Sequence, residues 1–93
     1  MAREVGEYRV VATVIGIQRG KCRSGHKVGD TFEISSLDAA GLCGWLYHDL
    51  FPHLVTFQHG GNLSWWKGDV IEEYECPDRM TQIKIRLERF KRH

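Results

Sequence analysis

The run from Glu7 to Ile17 limits the fold more than any other stretch of this chain. Tyr8, Val10, Ala12 and Val14 alternate on one side, and Val11, Thr13, Ile15 and Ile17 on the other. β-Branched residues at this density favour an extended strand. A strand apolar on both faces has to be covered on both, so the pattern predicts a central strand, or one whose second face meets another subunit. Thr81 to Arg89 reads as a strand of the other kind: Ile83, Ile85 and Leu87 form a dry face, and Gln82, Lys84, Arg86 and Glu88 a wet one.

Shorter strands are expected at Thr31–Ile34, at Leu54–Gln58 and over Val70–Cys76. Strict alternation in the last of these puts Val70, Glu72, Tyr74 and Cys76 on one face, and Ile71, Glu73 and Glu75 on the other. Between the second and third strands a helix is expected from about Ala39 to Phe51. Ser36 or Asp38 would cap it and Pro52 would end it. Leu42, Leu46 and Leu50 fall on one stripe of that helix, with Cys43 and Tyr47 on the same side. Gly41 and Gly44 weaken its start, at a cost of roughly 1 kcal/mol each in a helix interior relative to alanine. The expected architecture is an α+β domain spanning residues 1–93. It would be a small antiparallel or mixed sheet of about five strands, with one main helix packed on it.

Ninety-three residues bury a modest core, which a metal or a partner chain often supplements. With 42% hydrophobic and 27% charged residues the chain is not a disordered one, and a net charge of +1 argues against one built mainly to coat nucleic acid. Its positive charges are nonetheless clustered. Arg19, Lys21, Arg23 and Lys27 crowd the first loop, and Arg86, Arg89, Lys91 and Arg92 the end, with Glu72, Glu73, Glu75 and Asp78 between them. The amino terminus carries no apolar core of the export type, and there is no run of about 18 apolar residues. A cytoplasmic protein without a membrane span is therefore expected.

Three cysteines cannot close into internal disulfides as a set, which points to reduced thiols or metal ligands. Cys22 and His26 share a glycine-broken loop, where tight turns can aim both side chains at one point. Cys43 and Cys76 lie in distant segments that the hydrophobic pattern turns inward. Cys22, His26, Cys43 and Cys76 thus make a candidate four-ligand set for zinc or an iron–sulfur cluster. No Cys-x-x-Cys knuckle is present, so convergence depends on the tertiary fold. The packing alternative treats Cys43 and Cys76 as small buried hydrophobes and His26 as a turn residue. A metal-free alternative is a thiol or redox enzyme using Cys43 or Cys22, because a helix amino terminus stabilises a thiolate and His26 could serve as base or ion-pair partner.

The aromatic load (Trp45, Trp65, Trp66, Tyr47, Phe51, Phe57) exceeds what so small a core needs and suggests a ligand pocket or a homo-oligomer interface. A third reading sets the basic loop 19–27 beside aromatics as a grip on RNA, against which stand the glutamates and the missing aromatic–basic motif. His48 should face solvent. His53 and His59 sit at element ends, where either could line a pocket.

The ordered pattern Cys22-x-x-Gly25-His26-Lys27-Val28-Gly29-Asp30-x-Phe32, Gly41-Leu42-Cys43-x-Trp45, Gly60-Gly61 and Cys76-Pro77-Asp78 resembles a family of small, functionally uncharacterised prokaryotic proteins of about this length. The likeness spans Val10 to Leu87. In that family the first two cysteines are usually followed by proline, where this chain has Arg23 and Gly44. The resemblance implies that Cys22, His26, Cys43 and Cys76 act as one unit. It implies no activity.

Overall fold

A computed structural model of the chain describes residues 6–17, 25–77 and 82–92. Its elements run β1 (Tyr8–Ile17), β2 (Thr31–Ile34), α1 (Gly44–Gln58), β3 (Val70–Glu75) and β4 (Ile83–Lys91). The sheet has the order β2-β1-β4-β3, with every neighbouring pair antiparallel. The α+β class and the central place of β1 agree with the sequence pattern. The strand number does not, because the described residues form four strands and Leu54–Gln58 is the last part of the helix.

The helix differs from expectation at both ends. Neither expected residue caps the helix: Asp38 Oδ1 accepts the Ala40 N–H at 2.8 Å in a turn before it, and Ser36 Oγ accepts Gln58 Nε2 at 2.8 Å. Ala40 and Gly41 then take positive φ, at 54° and 90°, and a helix cannot pass through them. Pro52 lies within the helix instead of ending it. Proline leaves the carbonyl of the residue four earlier, His48, without its helical donor. His48 and Pro52 are both exposed, so that carbonyl is on the side where water replaces the bond. On the opposite side the apolar spacing runs on unbroken through Leu46, Leu50, Leu54 and Phe57, all buried.

These side chains press on the inner sheet face, made of Val10, Ala12, Val14, Ile34, Ile71, Ile83, Ile85 and Leu87. For the valine, isoleucine, leucine and phenylalanine side chains each such burial is worth about 1.5–3 kcal/mol. Two irregularities decide which residues reach this core. In β1, Val14 pairs with Ile85 and Gly16 with Lys84, so one extra residue lies between them and Ile17 pairs with Ile83 on the inner side. In β3 the register shifts between Ile71, opposite Leu87, and Tyr74, opposite Ile85. Ile71 and Tyr74 therefore share the inner face, which corrects the strict alternation expected there.

The helix runs along the strands. Its first half meets β3 where Tyr74 Oη donates to Asp49 Oδ2 at 2.8 Å, and its end meets β4 where Arg89 donates to the Phe57 carbonyl at 3.0 Å. The helix amino terminus therefore lies toward the end of the sheet where β1 stops at Ile17, β3 stops at Glu75 and β4 begins at Ile83.

Candidate functional site

At that end of the sheet His26 is held by the turn that leads into β2. Gly29 donates to the Val14 carbonyl at 2.8 Å, Val14 donates to Asp30 at 2.9 Å, and Asp30 Oδ2 accepts the Lys27 N–H at 2.9 Å. Gly29 carries φ +96°, which L side chains rarely adopt. The latched turn places the His26 ring against Phe32, with centroids 4.7 Å apart, and leaves it only 8% exposed.

His26 Nε2 accepts the Cys43 N–H at 2.9 Å. A backbone N–H can only donate, so Nε2 carries no proton here and a neutral ring bears its proton on Nδ1. In this conformation Nδ1–H is the ring group left for a further bond, and it can only donate. Cys43 is the N-cap of α1, with φ −50° and ψ 129°, and its carbonyl accepts the Tyr47 N–H at 2.8 Å. Its side chain does not cap the helix, and the first turn carries no acidic residue. The half-positive helix terminus therefore meets the Cys43 position without a carboxylate in its own first turn, a setting that favours an anionic group.

Cys76 follows β3 directly. Its N–H donates to the Ile83 carbonyl at 2.8 Å, it is 7% exposed, and it belongs to the same apolar cluster that Cys43 packs against. Ile83 pairs in turn with Ile17, the last described residue before the segment that carries Cys22. Cys22 lies outside the described residues, as do Arg19, Lys21, Arg23 and Asp78. Of the four candidate ligands the fold thus joins His26 to Cys43 directly and sets Cys76 in the shared core. Among the described residues no three His, Cys, Asp or Glu side chains are grouped as a metal ion would require.

Of the basic clusters, Lys27 is exposed, but Arg89 is not a surface charge at all. It is 5% exposed and its guanidinium donates to the carbonyls of Phe57 and Gly61, to Asn62 Oδ1 and to Asp69 Oδ1. The alternation of β4 places it beside Leu87 on the dry face, although the sequence groups it with the basic cluster at the end of the chain. His48 and His59 are exposed. His53 is half-buried on the core side of Pro52, with its ring 5.4 Å from that of Tyr74 and 6.1 Å from that of Trp66. Ending the helix at Pro52 hid this cluster, since Asp49 and His53 share a face only if the helix continues. Burial pushes the Tyr74 hydroxyl well above its ordinary pKa, and its hydrogen bond to the Asp49 carboxylate adds to the rise. Tyr47, which donates to the Ser35 carbonyl at 2.6 Å, is raised by burial and then by Asp38.

No helix among the described residues is long and apolar enough to cross a membrane. No family model, curated protein or solved structure matches this chain.

Proposed function

We propose that Cys22, His26, Cys43 and Cys76 form one site that binds a zinc ion or an iron–sulfur cluster. The observation that carries the reading is proximity: the His26 ring lies 2.9 Å from the Cys43 backbone, 17 residues away in sequence, at the end of the sheet where Cys76 is also buried, and a metal would take the ring lone pair that the Cys43 N–H holds here. Thiolate and imidazole are donors that both centres accept. Zinc with all four positions filled would be structural, whereas a cluster would supply electron transfer or redox sensing.

The same observation supports a second reading without metal. A thiol at a helix terminus, beside an imidazole, is the arrangement in which cysteine acts as a nucleophile or redox group. Cys43 would be the attacking thiol and His26 would orient it through the backbone.

Anaerobic purification with elemental analysis of the wild type and of Cys43→Ser separates the two. The metal reading expects stoichiometric zinc, or iron with sulfide and visible absorbance near 400 nm, lost on substitution. Metal-free wild-type protein whose thiols react fast with iodoacetamide would support the thiol enzyme. Metal-free protein with slow alkylation would overturn both.

A further inference from the structure

About 15 Å along the helix from Cys43, at ~1.5 Å per residue, α1 and β3 bound a cleft of about 160 Å³. Its walls include His53, Trp65, Trp66 and Tyr74, and its rim Glu72, Glu73 and Lys67. Pockets for drug-sized ligands span roughly 300–1,000 Å³. This one therefore suits a small group rather than a nucleotide or a large cofactor.

Three features describe that group. First, the walls are aromatic. Trp66 is fixed edge-on against Phe57 at 5.5 Å, while Trp65 stands 71% exposed, a costly placement for an indole with no role there. Second, the charge of the lining is acidic on balance, with two carboxylates and one ammonium. Glu72 pairs with Lys67 at 3.3 Å, and Glu73 pairs with Lys84, outside the lining, at 3.0 Å; both contacts are solvent-exposed ion pairs that contribute little. Third, His53 Nδ1 is buried and has no hydrogen-bond partner among the described residues. A buried polar atom left unsatisfied is unfavourable, and a ligand N–H would relieve it.

We infer that this cleft binds a small organic cation bearing N–H groups, an alkylammonium or alkylguanidinium. The aromatic faces attract its charge, the rim carboxylates add to that attraction, and His53 Nδ1 accepts one of its protons. The cation is the end of a lysine or arginine side chain or a free small amine. This site is independent of the cysteines, and nothing in it requires a metal.

The test uses the full-length protein with Trp45→Phe, which leaves Trp65 and Trp66 as the only indoles. Tryptophan fluorescence is titrated with butylammonium, butylguanidinium, tetramethylammonium and n-butanol. A saturable change is expected with the first two, at least about ten-fold weaker with n-butanol, which lacks the charge. Tetramethylammonium, which lacks the N–H, should bind at least about five-fold more weakly than butylammonium. His53→Phe should weaken butylammonium by about the same factor with the circular dichroism spectrum unchanged. Trp65→Ala, at an exposed position that the fold does not rely on, should do likewise. Acetyl-Gly-Lys-Gly-amide run beside butylammonium shows whether a protein side chain or a free amine is preferred, and either order supports a cation site. Equal response to n-butanol, or no saturable response to any cation, overturns the inference.

Discussion

The two ends of α1 are built from different chemistry. At its carboxyl end Arg89 ties together the Phe57 and Gly61 carbonyls, Asn62 and Asp69, with its guanidinium between the rings of Tyr8 at 4.8 Å and Phe57 at 4.6 Å. Beside it Gln58 is fully buried; it accepts the Ser36 N–H at 2.9 Å and donates to Ser36 Oγ at 2.8 Å. The Phe57 carbonyl, which also accepts the Gly60 N–H at 3.2 Å, and the Gly61 carbonyl just past the helix face a permanent cation there, as the dipole favours. At its amino end the polar link is a neutral imidazole on the Cys43 N–H, and the nearby side chains include thiols. The first end is closed by hard groups that gain nothing from a ligand. The second offers soft donors whose state depends on protons, metals and oxidants. The difference sets an end held by charged and amide groups against one that carries thiols beside an imidazole.

The strongest way to break that contrast is Arg89→Met. The variant keeps an apolar stem but removes the buried cation shared by the Phe57 and Gly61 carbonyls, while the exposed Asn62 and Asp69 turn to water, and should cost about 3 kcal/mol. In a domain of this length that lowers the melting temperature by roughly 15 °C by circular dichroism. A loss under about 1 kcal/mol would mean that this end is not held by the arginine. Gly61→Ala attacks the same end by volume. Its added Cβ would sit 2.6 Å from Thr56 Cγ2 and 3.0 Å from the Thr56 carbonyl, an overpacking of about 2 kcal/mol. Thr56→Ser in the same chain removes the methyl group and should restore about half; no rescue would place the strain in the backbone instead.

At the amino end the expected effects are smaller. His26→Phe keeps an aromatic ring against Phe32 but removes the acceptor for the Cys43 N–H, at about 1.5 kcal/mol in metal-free protein by urea unfolding. If the four-residue site binds metal, chelation should bring wild type down toward this variant and leave Arg89→Met unaffected in its increment. A loss as large as that of Arg89→Met would erase the asymmetry.

How far this contrast was legible in the sequence follows from which interactions are local. The alternation of Ile83, Ile85 and Leu87 and the stripe of Leu46 and Leu50 are set by side chains a few residues apart, and the β4 face and the first half of the helix follow from them. Two features depended on partners elsewhere in the chain. Pro52 is a helix breaker by intrinsic preference, and here the apolar stripe through Leu54 and Phe57 outweighs it because the lost bond faces water. The extra residues in β1 and β3 leave no mark in composition, yet one brings Ile17 inward and the other aligns Ile71 with Tyr74 and Cys76. Cys43 and Cys76 were legible as inward-facing candidates, and His26 as a loop residue that a turn could aim at them. The bond from Cys43 to His26 was not, because a backbone donor carries no residue type.

The smallest expected effect lies midway along the helix, where Tyr74 bridges to Asp49, and it sharpens the comparison by its dependence on pH. Burial, and next the Asp49 carboxylate, raise the Tyr74 pKa in the folded chain above its value of about 10 in the unfolded one. A raised folded value means that the contribution is complete below about pH 10 and is lost as pH climbs from there through the folded value. Tyr74→Phe should therefore cost about 1 kcal/mol at pH 7 and flatten the fall in stability above pH 10. Tyr47, raised by burial and by Asp38, and Lys84, raised by its hydrogen bond to Glu73, titrate with the same sign, so part of the slope persists in the variant. Urea unfolding at pH 7, 9 and 10.5 reads both quantities. Parallel curves for wild type and Tyr74→Phe across that range would show that the Tyr74 hydroxyl is no more strongly held in the fold than in the open chain, and the midsection of α1 would then resemble neither end.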